Sequence, residues 1–160
     1  MPTQSKVLNF HQPLLYKVGD RQYLTDIPYR IEWVKSGTHC RLTIPENFGT
    51  DIATIPRGWI MGTTAKVLGF DHDGPHRAGA VAHDGLYFTQ GFRRHMEKPE
   101  WVNAYQILKG NKWITPHGTW SREDCDDFFL MLMEAADVPQ WKRTTMYRAV
   151  RIGGESYWKS

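Results

Sequence analysis

The hydrophobic period of this 160-residue chain changes once, near Pro45, and that switch limits what it can fold into. Before it, short runs rich in aromatic and β-branched residues occur at Leu14–Tyr16, Tyr23–Leu24, Tyr29–Val34 and Cys40–Ile44. Turn formers separate them: Gly19-Asp20, Asp26 to Pro28, and Ser36-Gly37. In Tyr29-Arg30-Ile31-Glu32-Trp33 apolar and polar residues alternate, the period of a strand with one wet face. After Pro45 the spacing becomes helical. Strands first and helices afterwards predict an α+β fold, an N-terminal antiparallel β-meander packed against a C-terminal helical half.

The expected helices have local start and stop signals. Gly58 to Leu68 reads as a short helix that Gly69 ends. Asp73-Gly74-Pro75 opens another that runs to about Phe88, since proline is favoured in a first helical turn. Trp101, Ala104, Tyr105 and Leu108 follow helical spacing after Pro99, which predicts a short amphipathic helix. Ser121-Arg122-Glu123-Asp124 resembles a capping box for a helix to Ala136. Pro139 starts a last one, closed by Gly153-Gly154. The chain reads as one domain over 1–160, mainly β from about 8 to 45 and mainly α from 46 onward. At about 90–120 lies a basic aromatic insertion, with Arg93, Arg94, Lys98, Lys109 and Lys112 among Trp101, Tyr105, Trp113 and Trp120. That insertion is a solvated excursion, a docking surface, or an interfacial or nucleic-acid patch.

Charge and composition narrow the partners. A formal charge of +3 falls short of a nucleic-acid footprint, so nucleic acid is not the expected partner. No apolar run approaches the roughly 18–20 residues that span a bilayer. The residues after Met1 lack the apolar core and cleavage site of a signal peptide, so export by one is not expected. Cys40 and Cys125 have no metal-binding spacing and read as reduced, buried thiols.

Helical arithmetic then isolates a site. At about 100° per residue, Glu123, Asp124, Asp127 and Glu134 fall on one solvated sector, whereas Asp126 shares the direction of Phe129, Leu130 and Met133. An acid within an apolar stripe needs a partner, because an unpaired buried carboxylate is costly. On the preceding helix His76, Gly79, Ala80, His83 and Tyr87 share one face, and the small Gly79 and Ala80 permit close helix approach. Asp84 points about 100° away, with Arg77 and Phe88. If the two faces pack, His83 meets Asp126. A carboxylate holding one imidazole nitrogen raises the basicity of the other, which makes a general base for water. The same bond could equally serve only to satisfy two buried polar groups between helices, with Tyr87 adding a third.

The segments Pro45-x-x-Phe48-x-Thr50-Asp51-x-Ala53-Thr54-Ile55-Pro56, His83-Asp84-x-Leu86-Tyr87 and Ser121-Arg122-x-x-Cys125-Asp126-x-x-Phe129-x-x-x-Met133 follow in that order. Together with Tyr147-Arg148-Ala149-Val150-Arg151 they resemble the domain of unknown function 1353 family of tailed phages and prophages. The resemblance covers about residues 40 to 153. It departs from the pattern at Thr54, at Cys125 and in a longer stretch between Tyr87 and Ser121. His83-Asp84-x-x-Tyr87 followed by Asp126-x-x-Phe129 also resembles the core of phospholipase A2. That resemblance implies His83 as base, Asp84 as ligand of a divalent cation (calcium favoured), and Asp126 as orienter with Tyr87 in support. Leu68 to Gly74 is the nearest counterpart of a calcium loop, with Asp71 and Asp73 as oxygen donors.

The expected function is a phage-encoded hydrolase acting on a small-molecule or lipid ester, with His83, Asp126 and Tyr87 catalytic and Asp51 and Arg122 binding substrate. Its place is the host cytoplasm or the virion. Asp51 can alternatively cap a helix near Ile55 to Trp59. Two other readings compete. One is a non-enzymatic tail or host-interaction module that contacts phage structural proteins. The other is an HD-type metal phosphohydrolase using His72 or His76 with His83, Asp84 and Asp126. His76 and His83 lie roughly 10.5 Å apart along a straight helix, too far to share one metal directly.

Overall fold

The computed structural model describes residues 5–19, 22–51, 74–94 and 97–159. Among them are strands β1 (Ser5–Asn9), β2 (Leu15–Gly19), β3 (Gln22–Thr25), β4 (Tyr29–Lys35), β5 (Thr38–Ile44) and β6 (Gly49–Thr50). Helix α1 (Arg77–Phe88), strands β7 (Tyr105–Lys109) and β8 (Lys112–Ile114), and helices α2 (Arg122–Ala135), α3 (Gln140–Gly153) and α4 (Glu155–Lys159) follow. The fold is α+β. The expected helix at Gly58 to Leu68, the candidate loop donors Asp71 and Asp73, and His72 lie outside the described residues.

The central pair is β4 and β5, whose alternation dictates which face is dry. Tyr29, Ile31 and Trp33 are buried and sit opposite Ile44, Leu42 and Cys40, also buried. Arg30, Glu32 and Val34 take the other face. The two strands turn at Ser36-Gly37, both at positive φ (49° and 77°), the two-residue geometry that matches strand twist. Five strands form one antiparallel sheet in the order β1-β4-β5-β7-β8, and β2-β3-β6 form a second.

Strand β1, the two-residue β6 and the β7–β8 hairpin depart from the sequence expectation. The stretch after Pro99 is a single 3₁₀ turn, Pro99–Trp101, followed by the β7–β8 hairpin rather than an amphipathic helix. Tyr105 and Ile107 pair with Leu42 and Cys40 and pack on the core, so cross-strand burial overrides a spacing that suits a helix equally well. The segment read as an insertion thus completes the main sheet. Most of its aromatics turn inward: Trp101 and Phe92 are buried, and Trp120 packs on Trp33, Phe92, Tyr105 and Phe128. Strand β1 went unread because Val7 and Leu8 are its only apolar residues; only Val7 packs inward.

Helix α1 has no side-chain cap of its own at His76. Gln12, in the β1–β2 connection, fills that role: its carbonyl accepts from the Ala78 amide at 3.1 Å, and its amide donates to the Pro75 carbonyl at 3.0 Å. Gln12→Ala leaves an orphan amide in the first helical turn and is expected to lower stability by about 1 kcal/mol, read from the urea midpoint at unchanged m-value. Helix α2 carries the expected capping box, Ser121 with Asp124. A helix long and apolar enough to cross a membrane is absent among the described residues.

Candidate active site

Helices α1, α2 and α3 converge on one carboxylate. Asp126, fully buried on α2, presents Oδ1 to His83 Nε2 at 2.8 Å and accepts the Tyr87 hydroxyl on the same oxygen at 2.7 Å. Its Oδ2 accepts from Arg151 Nη1 on α3 at 2.9 Å, and Arg122 Nη1 stands 3.7 Å away. Burial alone would raise the Asp126 pKa. The hydrogen bonds from His83 and Tyr87, the charge at His83 and the bond from Arg151 outweigh it, and the carboxyl sits below its ordinary value. Tyr87 is pushed well up, by burial first and then by donating to the carboxylate, so its proton stays in place. Arg151 is held more firmly protonated by the same carboxylate.

Small residues make the crossing possible. A Cβ on Gly79 would stand 2.9 Å from Cδ2 and 3.1 Å from Cε2 of Phe129, so α1 and α2 pack at a distance that only glycine tolerates. Gly79→Ala is expected to cost about 1–3 kcal/mol by overpacking and to lengthen the His83–Asp126 contact; thermal unfolding reads the first, a crystal structure the second. Gly154 plays the matching part at the end of α3, where a Cβ would meet the Tyr87 hydroxyl at 2.5 Å. Trp158 on α4 packs edge-on with the Tyr87 ring, centroids 5.2 Å apart.

The His83 ring lies between Tyr87 and Phe129, with centroids at 4.1 and 5.1 Å, and is 4% exposed. Nε2 is committed to the carboxylate. Because a carboxylate only accepts, a neutral His83 carries its proton on Nε2 and keeps a lone pair on Nδ1.

The remaining sequence-predicted residues divide. Arg122 spends its guanidinium largely on the last turn of α3, donating to the carbonyls of Val150 at 3.3 Å and Arg151 at 3.1 Å. Asp84 points away from Asp126 toward β6, where it accepts a hydrogen bond from the Thr50 hydroxyl. Asp51 follows Thr50 and is exposed; the helix it was expected to cap lies outside the described residues. His76, two turns from His83, is buried at the head of α1. Among the described residues no three His, Cys, Asp or Glu side chains converge to hold a metal ion. Cys40 and Cys125 are free and buried, as expected, and burial pushes both thiols up.

Two members of the arrangement were not singled out from sequence. Arg151 belongs to the arginine-bearing last helix, and its partner lies 25 residues upstream, beyond any local pattern. Thr50 stood in the quoted motif, but its link to Asp84 spans 34 residues.

Comparison with protein-family models matches residues 28–150 to the family described as "Protein of unknown function (DUF1353)". Searches of curated proteins and of solved structures return no match.

Proposed function

We propose that this chain, which belongs to the DUF1353 family, is an ester hydrolase in which His83 activates water. The observation that carries this reading is the buried Asp126 carboxylate, bonded to His83 Nε2 at 2.8 Å while Tyr87 and Arg151 hold it in place. Water gives a proton to Nδ1 as its oxygen attacks the ester carbonyl, and the imidazolium that forms is stabilised by the adjacent carboxylate. Collapse of the tetrahedral intermediate breaks the carbon–oxygen bond of the alcohol. The proton on Nδ1 passes to the departing alkoxide, leaving acid, alcohol and a neutral ring. Tyr87, Arg151 and Arg122 are positioning residues that act through Asp126.

The substrate class is a small-molecule or lipid ester, the lipid following the phospholipase A2 resemblance. A divalent cation at Asp84, calcium by the same resemblance, would supply positive charge to polarise the carbonyl. By the family resemblance the enzyme would serve a tailed phage or prophage, in the host cytoplasm or with the virion.

One observation favours a second reading. The near-complete enclosure of His83 between two aromatic rings suits a polar clamp joining three helices of a structural module. A pH-stat assay separates the two. Purified protein and His83→Gln are each given short-chain esters and detergent-dispersed phospholipid, with calcium or with a chelator. Acid release by the first and none by the second supports the hydrolase. Release by neither, with His83→Gln less stable, supports the clamp.

A further inference from the structure

The chain's charge of +3 is an average over unlike parts. The five strands of the main sheet and its two hairpin turns hold Lys6, Arg30, Lys35, Arg41, Lys109 and Lys112 against Glu32 alone, six cations less one acid, or +5. Helix α2 carries the opposite excess, Glu123, Asp124, Asp126, Asp127 and Glu134 against Arg122. Pairing places the cations further. Ser5 sits opposite Lys35, Lys35 opposite Thr38, and Lys109 opposite Lys112, so Lys6, Lys35, Lys109 and Lys112 gather at one end of the sheet.

The helices pack on the face of Ile31, Trp33, Cys40 and Leu42. On the opposite face lies an ordered aromatic group. The Arg41 guanidinium lies 4.1 Å from the Trp113 ring centroid and donates to Gln106 Oε1 from both Nε (2.8 Å) and Nη2 (2.6 Å). His39 meets the same indole edge-on at 5.2 Å and bonds Glu32 at 3.2 Å. Desolvation first, and then the nearby Arg30, lower the Arg41 pKa, against Glu32, which raises it. Among the described residues no helix covers this face.

We infer that the open face of the β1-β4-β5-β7-β8 sheet docks single-stranded nucleic acid, its phosphates along the lysine end and a base stacked on the Arg41–Trp113 pair. Excess positive charge along that end of the sheet, from the exposed Lys35, Lys109 and Lys112 beside the hairpin turns and Lys6 on β1, gives affinity for any polyanion. The flat, preordered guanidinium–indole pair is what selects bases over carboxylates, because stacking on a ring is open to every base and to no acidic side chain. Duplex DNA presents its bases edge-on within grooves and gains nothing from such a platform.

Fluorescence anisotropy of a labelled oligothymidylate tests the assignment, with duplex DNA and polyglutamate as competitors. Binding in the micromolar range at about 50 mM salt is expected, weakening as salt rises. Trp113→Ala should weaken it by at least about fivefold, with the fold checked by circular dichroism. The double substitution Lys109→Gln and Lys112→Gln should lower the slope of log K against log salt by about 1.4. No binding at low salt, equal competition by duplex or polyglutamate, or full affinity in folded Trp113→Ala would overturn the inference.

Discussion

Replacing Asp126 by alanine is expected to cost about 3–5 kcal/mol of folding stability, the range for removing one partner of a buried charged network. Arg151 and Tyr87 would lose the acceptor they now share, and His83 Nε2 would face a cavity. Unfolding free energies of ordinary domains are only about 5–15 kcal/mol, so the variant would fall on the edge of folding, with a melting temperature lower by roughly 10 °C. Asp126→Asn keeps the volume and one acceptor, and should recover about half of the loss. The same carboxylate dictates an acid limb. Its folded-state pKa is depressed, so its contribution is fully present above the unfolded carboxyl value of about 3.9 and is lost as pH falls below that through the folded value. Wild-type stability should therefore drop steeply below about pH 4, and Asp126→Asn should drop less over the same interval.

His83→Gln has the opposite profile. Glutamine can still donate from its amide to the Asp126 carboxylate, so the stability cost should stay near 1 kcal/mol. It has no lone pair of comparable basicity to take a proton from water. If His83 is the base, ester turnover falls by about 10²–10⁴ while the protein stays folded. A second signature separates chemistry from binding. Loss of a general base lowers kcat and kcat/KM together, whereas a binding defect would raise KM alone. A structural clamp would give neither result, only the small change in melting temperature.

Much of this site was legible because one residue broke a pattern. Among the acids of α2, Asp126 alone shares the apolar stripe of Phe129 and Met133, and the small Gly79 marks where the partner helix comes closest. Period and residue size suffice for such local inferences. Arg151 and Thr50 were out of reach for a different reason: their partners lie 25 and 34 residues away in sequence, and a surface-type residue carries no local mark of a buried contact. The β7 strand misled because Trp101, Ala104, Tyr105 and Leu108 satisfy helical spacing, and only pairing with β5 decides otherwise. Net charge hid the basic sheet for an arithmetic reason, since the acids of α2 cancel most of it.

The tautomer of His83 tests the central claim most directly, because a general base needs its lone pair on the nitrogen that does not face Asp126. A long-range nitrogen–proton correlation spectrum, assigned through His83→Gln, reads it in the intact protein. The account predicts a neutral ring protonated on Nε2, with Nδ1 at the chemical shift of a bare acceptor and Asp126→Asn altering that pattern. A proton on Nδ1 of the neutral ring, or a spectrum indifferent to Asp126→Asn, would contradict it.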